Sequence, residues 1–288
     1  MAMDPADLMV RVADGVRLHV RRWPGLSANP PFLLVHGLSS NARLWDGVAV
    51  RLAKAGYPVY AVDLRSHGES ERPAVGYDTA TAAADLAALG RALHMSPAIS
   101  AGQSWGGNVV VSLAAVAPDQ VAALALVDGG WSDLASQFDS WEECERALRP
   151  PQVDGLRETD LFAFIRRSHP DWEEWAIRAT AANFRVDNHG RLSRRLPIPE
   201  HMQIVRSMWD DPPSRYHPRI HVPVLLVPAV PEEHQAAART TRLVEKAAAA
   251  LPDATIREYP GADHDVHAQQ PAKLAADLLV LASRVSPP

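Results

Sequence analysis

One cysteine, Cys144, stands in a chain of 288 residues. An internal disulfide is therefore excluded, and the composition suits a reducing cytoplasm. No Cys/His cluster has the spacing of a zinc site, so no metal is expected. Long apolar runs are also missing. None approaches the roughly 20 residues of a membrane span, so no membrane partner is expected. Long charge runs are missing too. With a net charge of −5, nucleic acid is not an expected partner. The start, Met1-Ala2-Met3-Asp4-Pro5, has no basic segment leading into an apolar one. No signal peptide is expected from it, and a cytoplasmic location is. Repeats are absent, and no oligomeric state follows from the composition. What the chain does have is 47% hydrophobic residues, enough for a substantial core. Its 24 prolines mark many loop boundaries and argue against a coiled coil. The length suits one large domain, or one domain carrying an insertion.

The first half alternates strand-like and helix-like segments. Strands are predicted at Val16–Trp23, Phe32–Val35, Val59–Val62, Pro97–Ala101 and Val121–Val127. Helices are predicted at Leu44–Ala55, Thr79–Leu93 and, after a glycine-rich turn, Val109–Ala117. Such alternation implies a mostly parallel sheet with helices on both faces. It stops at Trp131. From there to Pro218 no clean strand is visible, and the stretch is polar yet rich in large side chains such as Trp141, Trp172, Trp175 and Phe184. The spacing predicts a helical insertion. The alternation resumes with Pro223–Val227, Ala236–Ala250, Ala254–Tyr259 and Pro271–Ser283. Residues 1–130 and 219–288 are thus read as the core, and 131–218 as the insertion.

The most informative stretch is Gly102-Gln103-Ser104-Trp105-Gly106. It follows an apolar run and opens a small-residue helix. A strand, a sharp turn and a helix place a serine on a strained elbow with its hydroxyl in open space. Glycines flank it because strand and helix approach too closely for side chains. A serine hydroxyl is a poor nucleophile at neutral pH. It needs a base, an acid to orient that base, and donors for the oxyanion. In elbow enzymes the chain order is serine, acid, histidine. The base should therefore lie late, in Gly261-Ala262-Asp263-His264-Asp265-Val266-His267. His264 sits where the loop leaves the last strand and is the expected base, with Nε2 in hydrogen-bond reach of Ser104 Oγ. His267, near the next helix, is read as structural. The oxyanion donors are expected to be the main-chain N–H groups of Trp105 and of Leu38, in the turn His36-Gly37-Leu38-Ser39.

Taken together, these motifs resemble the α/β-hydrolase fold with a helical cap, over nearly the whole chain. The stretch Asp63-Leu64-Arg65-Ser66-His67-Gly68-Glu69-Ser70 matches the family's strand-four loop. That loop is usually architectural, so His67 is given no catalytic role. The insertion occupies the family's cap position, after the sixth strand of the core fold. The resemblance leaves two places for the acid. Most members carry it after the seventh strand, where this chain has Glu232 behind an atypical Pro-Ala-Val-Pro. Some capped members carry it after the sixth strand, where this chain has Asp128 followed by two glycines. Asp128 is favoured and Glu232 is the alternative.

The elbow resembles that of haloalkane dehalogenases and epoxide hydrolases, except that serine replaces their aspartate. No asparagine follows His36-Gly37 to hold a halide, and Tyr216 is the only tyrosine of the insertion. A seryl ester intermediate suits acyl transfer, so a carboxylic ester or lactone is the expected small-molecule substrate, with no cofactor. A carbon–carbon bond hydrolase of a diketone and a non-catalytic receptor on the same fold are the alternatives. The aromatic insertion suggests an apolar or aromatic substrate group. His36, Gly37, Trp131, Trp172, Trp175 and Phe184 are the expected pocket residues, and Trp105 is expected to border the pocket.

Overall fold

The computed structural model describes residues 4–26, 28–95, 97–153 and 155–285. Met1 to Met3, the first residues of the segment read for a signal peptide, lie outside the described residues. In chain order the elements are β1 (Ala6–Arg11), β2 (Arg17–Trp23), β3 (Phe32–Val35), α1 (Asp46–Lys54), β4 (Val59–Val62), α2 (Thr79–Ala92), β5 (Ala98–Gln103), α3 (Trp105–Val116) and β6 (Val121–Val127). Then come α4 (Trp141–Leu148), α5 (Glu158–Ser168), α6 (Glu174–Ala181), β7 (Phe184–Val186), β8 (Leu192–Arg194) and α7 (Ile198–Asp210). The chain closes with β9 (Val224–Val227), β10 (Ala229–Val230), α8 (His234–Ala250), β11 (Ala254–Ile256), β12 (Tyr259–Pro260), α9 (Val266–Gln269) and α10 (Pro271–Ala282).

Eight strands form the main sheet, in the order β1-β2-β4-β3-β5-β6-β9-β11. Strand β2 runs antiparallel to both β1 and β4, and the remaining pairs are parallel. Parallel strands are buried on both faces, which is why they read as continuous apolar runs. Alternate residues feed two cores. Phe32, Leu34, Val59 and Ala61 pack with α1 and α10, while Leu33, Val35 and Val62 pack with α2 and α3. This is the α/β-hydrolase architecture.

Three elements differ from the prediction. β1 is an edge strand whose burial alternates, with Met9 exposed and Leu8 and Val10 half-buried. Its short apolar side leaves little trace in the sequence. The segment Ala254–Tyr259 is broken, because its end leaves the main sheet and pairs with β10. Residues 131–218 are mainly helical but include the hairpin β7–β8. Its turn is built by Asp187, whose side chain accepts from the N–H groups of His189 at 2.8 Å and Arg191 at 2.9 Å.

The crossover that sets β3 beside β5, and β5 beside β6, gathers three loops. The loops after β3, β5 and β6 leave neighbouring strands at the same C-terminal edge, where α/β sheets place their sites.

Candidate active site

Ser104 joins β5 to α3 with φ 53° and ψ −123°. For a residue with a side chain this is a strained conformation, typically costing about 1–3 kcal/mol. It persists because the neighbours leave no other path. Ser104 N–H donates to Val127 O, and Ser104 O accepts from Gly107 N–H, both at 2.9 Å. The flanking glycines are obligatory for packing. A Cβ on Gly102 would lie 2.1 Å from Gly106 O, and one on Gly106 would lie 2.5 Å from Val35 O. Strand β5, helix α3 and the end of β3 therefore meet backbone to backbone beneath the serine.

Asp128 follows β6 and also has positive φ, 43°. Its Oδ1 accepts from Ala229 N–H at 3.0 Å, which ties it to the neighbouring β9 end. Its Oδ2 accepts from His264 Nδ1 at 2.5 Å. The structure thus brings Asp128, not Glu232, to His264. Glu232 lies instead beside Gly261, and it makes no hydrogen bond to His264 among the described residues. The main chain of His264 is held as well, because Gln103 Nε2 donates to its carbonyl at 3.1 Å. The residue before the serine thus ties the serine's strand to the histidine's loop.

With Nδ1 donating to a carboxylate, the neutral His264 ring presents Nε2 as an acceptor. Partial desolvation pushes the imidazolium pKa down. The hydrogen bond to Asp128 and the charges of Asp128 and Asp265 push it up by more, so it stands above the ordinary imidazole value. Ser104 and His264 line the same cavity, which has a volume of about 550 Å³. Ser104 Oγ makes no hydrogen bond to His264 Nε2 among the described residues, although His264 and not His267 shares its cavity. Asp128 and Gln103 hold the ring and its backbone, whereas the serine hydroxyl has no such tether among the described residues. Contacts between base and nucleophile often tighten only in the reacting complex.

The loop after β3 abuts the serine. A Cβ on Gly37 would lie 2.9 Å from Ser104 Cβ. The Leu38 N–H has no acceptor among the described residues, and the Trp105 N–H, first of α3, has none within its helix. Two histidines brace this loop reciprocally. His36 Nε2 accepts from Leu64 N–H at 3.0 Å, and its Nδ1 donates to Gly37 O at 2.7 Å. His67 Nε2 accepts from Ser39 N–H at 3.2 Å, and its Nδ1 donates to Arg65 O at 2.8 Å. Each ring bonds its own loop and the other loop. Both must be neutral to accept, and burial, the largest cause, pushes both pKa values down, that of His67 to about 3. A third histidine, His201 of α7, holds Ser39 Oγ at 2.9 Å. Ser39 has φ 59°, so a strained residue beside Leu38 is pinned from two sides.

The expected pocket residues divide. Trp131 lines the cavity with Leu134, Leu148, Val205 and Met208, all from the segment between β6 and β9. His36 and Gly37 do not line it; His36 is fully buried as a brace, and Gly37 is the close contact behind the serine. Trp172, Trp175 and Phe184 do not line it either. Trp172 stacks on His169 at 3.9 Å and donates to Asp263 at 2.9 Å, Trp175 covers Gly47, and Phe184 lies under Arg194. Trp172 and Trp175 thus pack the segment onto the core, while Phe184 packs within the β7–β8 hairpin. The Trp105 side chain points inward, donating to Thr79 Oγ1 at 3.1 Å. His267 is buried against Trp45 and plays no part in the cavity.

A mostly parallel sheet with a serine elbow at its C-terminal edge defines the class of α/β-sheet hydrolases. The family model for the alpha/beta hydrolase fold matches residues 30–270, and the chain belongs to that family. The non-heme chloroperoxidase of Streptomyces lividans is 27% identical over 282 residues, 94% of this chain and 97% of that protein. The esterase YbfF of Escherichia coli is 28% identical over 244 residues, 84% of this chain and 89% of that protein. The crystal structure of E-2-(acetamidomethylene)succinate hydrolase superposes with a TM-score of 0.76 at 25% identity, covering 97% of this chain and 99% of that one.

Proposed function

We propose that this hydrolase cleaves a carboxylic ester or lactone through an acyl-enzyme on Ser104. One observation carries the reading: His264 Nδ1 donates to Asp128 Oδ2 at 2.5 Å, on the cavity that the strained Ser104 lines. The similarity to an esterase supports the type of bond cleaved.

In this mechanism Ser104 Oγ attacks the carbonyl carbon and its proton passes to His264 Nε2. The carbonyl oxygen becomes an oxyanion facing the N–H groups of Leu38 and Trp105. The tetrahedral adduct collapses, the C–O bond to the alcohol breaks, and the alcohol leaves with the proton from His264. Water then attacks the acyl carbon and gives a proton to His264. The acid departs as Ser104 recovers its proton. Asp128 fixes the tautomer and stabilises the imidazolium formed in each half-reaction. Residues 131–218 act as the cap, and their apolar residues seat the hydrocarbon part of the substrate. No helix among the described residues is long and apolar enough to cross a membrane. We place the reaction in the cytoplasm on the strength of the single cysteine.

The test is turnover of p-nitrophenyl hexanoate. Wild type should release nitrophenol and Ser104→Ala should not. Equal turnover by the two would remove the serine from the reaction. A diketone turned over in preference to every ester would favour carbon–carbon bond cleavage instead.

A further inference from the structure

One wall of the cavity is a single helix face. Ala236, Arg239, Thr240 and Leu243 of α8 all line it, at the i, i+3, i+4, i+7 spacing of one helical side. The same side continues into the core through Val244 and Ala247. A charged residue at the edge of a packed face breaks the amphipathic pattern, and such local conflicts concentrate at functional sites. Among the described residues, Arg239 is the only lysine or arginine lining the cavity. Its guanidinium makes no hydrogen bond, ion pair or ring contact among the described residues. The only carboxylate on the cavity among those residues, Asp128, already holds His264 and the Ala229 N–H. Arg239 is exposed and lines the cavity, so a polar head on this residue can stay in water at the edge of the cavity.

We propose that Arg239 is an anion-binding specificity residue, and that the substrate is an ester carrying a carboxylate away from the scissile bond. The proposal rests on the ester-hydrolase reading of the same cavity. A planar guanidinium offers a paired set of donors that matches one carboxylate. One unpaired cation suits one negative charge. The hydrocarbon between the two ends would lie against Leu243 and the apolar residues of the insertion. Substrates without the carboxylate would still reach Ser104, but would leave the guanidinium unused.

The experiment compares mono-p-nitrophenyl adipate with p-nitrophenyl hexanoate, which differ by a carboxylate in place of a methyl. Wild type should favour the adipate ester in kcat/KM by about tenfold, a modest factor because the site is exposed and screened. Arg239→Gln should bring the ratio near one, chiefly through loss of adipate turnover. Arg239→Lys should fall between, since the charge remains and the paired geometry is lost. Added salt should shrink the wild-type preference. A wild-type ratio near one, or a preference that survives Arg239→Gln, overturns the proposal. Calorimetric binding of both esters to Ser104→Ala, with and without Arg239→Gln, gives a second readout. If no ester is turned over, the acyl-enzyme reading falls, and the binding ratio alone still decides whether Arg239 recognises the carboxylate.

Discussion

At the scale of single residues, the decisive contact is that between Asp128 and His264. If it orients the base, Asp128→Asn should lower kcat by orders of magnitude near neutral pH while the protein remains folded. Glu232→Gln should be nearly silent. Loss by Glu232→Gln with retention by Asp128→Asn would return the acid to the loop after β9. The same contact sets a pH dependence. His264 must be neutral to accept the proton of Ser104, and its pKa is raised. The acid limb of kcat/KM should therefore titrate above the ordinary imidazole value of about 6.5. Asp128→Asn should move the residual activity's limb to lower pH, because the charge of Asp128 no longer raises the His264 pKa and only that of Asp265 remains. An unmoved limb would mean that another group controls it. Arg239 shows what single residues hide in a sequence. A lone arginine in a helix looks like a solvated one until the neighbouring elements show which face it occupies.

At the scale of elements, the site depends on turns that meet without side chains between them. Gly129, just after β6, is the clearest case. A Cβ there would lie 2.2 Å from Ser104 O, a backbone atom that cannot swing aside. Gly129→Ala should therefore displace the elbow or the Asp128 turn. The expected cost is about 1–3 kcal/mol of stability, with a larger loss of activity, although alanine adds no group to the chemistry. Urea denaturation beside a kcat measurement checks both, and a fully active variant would show that the two turns have room. Much at this scale was legible in the sequence. The parallel strands are continuous apolar runs, and Gly102 to Gly106 marks the elbow from one of them, β5, into α3. The hairpin β7–β8 was not legible, since three-residue strands carry too few side chains for a period. Nor was the orientation of the insertion's aromatics. Trp131 and Trp172 are both buried tryptophans of the insertion, but one faces the cavity and the other faces Asp263. Sequence tells that such rings are buried, and only packing tells against what.

At the scale of the whole molecule, several histidines are buried in neutral form. The pKa values of His67 and His267 are pushed down to about 3, and that of His201 to about 4, with burial the largest cause in each. The unfolded chain takes up protons at about 6.5, where the folded chain does not. Stability should therefore be retained above that pH and fall as pH drops toward the folded values. Each such histidine adds up to about 1.4 kcal/mol per pH unit. His267 isolates the effect, because both its ring nitrogens lack partners among the described residues and its ring packs on Trp45 at 4.5 Å. His267→Phe keeps a ring there and removes the proton uptake. Its stability should decline more shallowly between about pH 6 and 4. Identical slopes for variant and wild type would show that His267 is protonated in the folded state. The central claim, that one serine of the entire chain carries the reaction, is tested most directly by intact-protein mass spectrometry after treatment with a fluorophosphonate. The account predicts a single adduct per chain, located on Ser104 by peptide mapping and absent from Ser104→Ala. An adduct that persists unchanged in Ser104→Ala, or that maps to another residue, would contradict it.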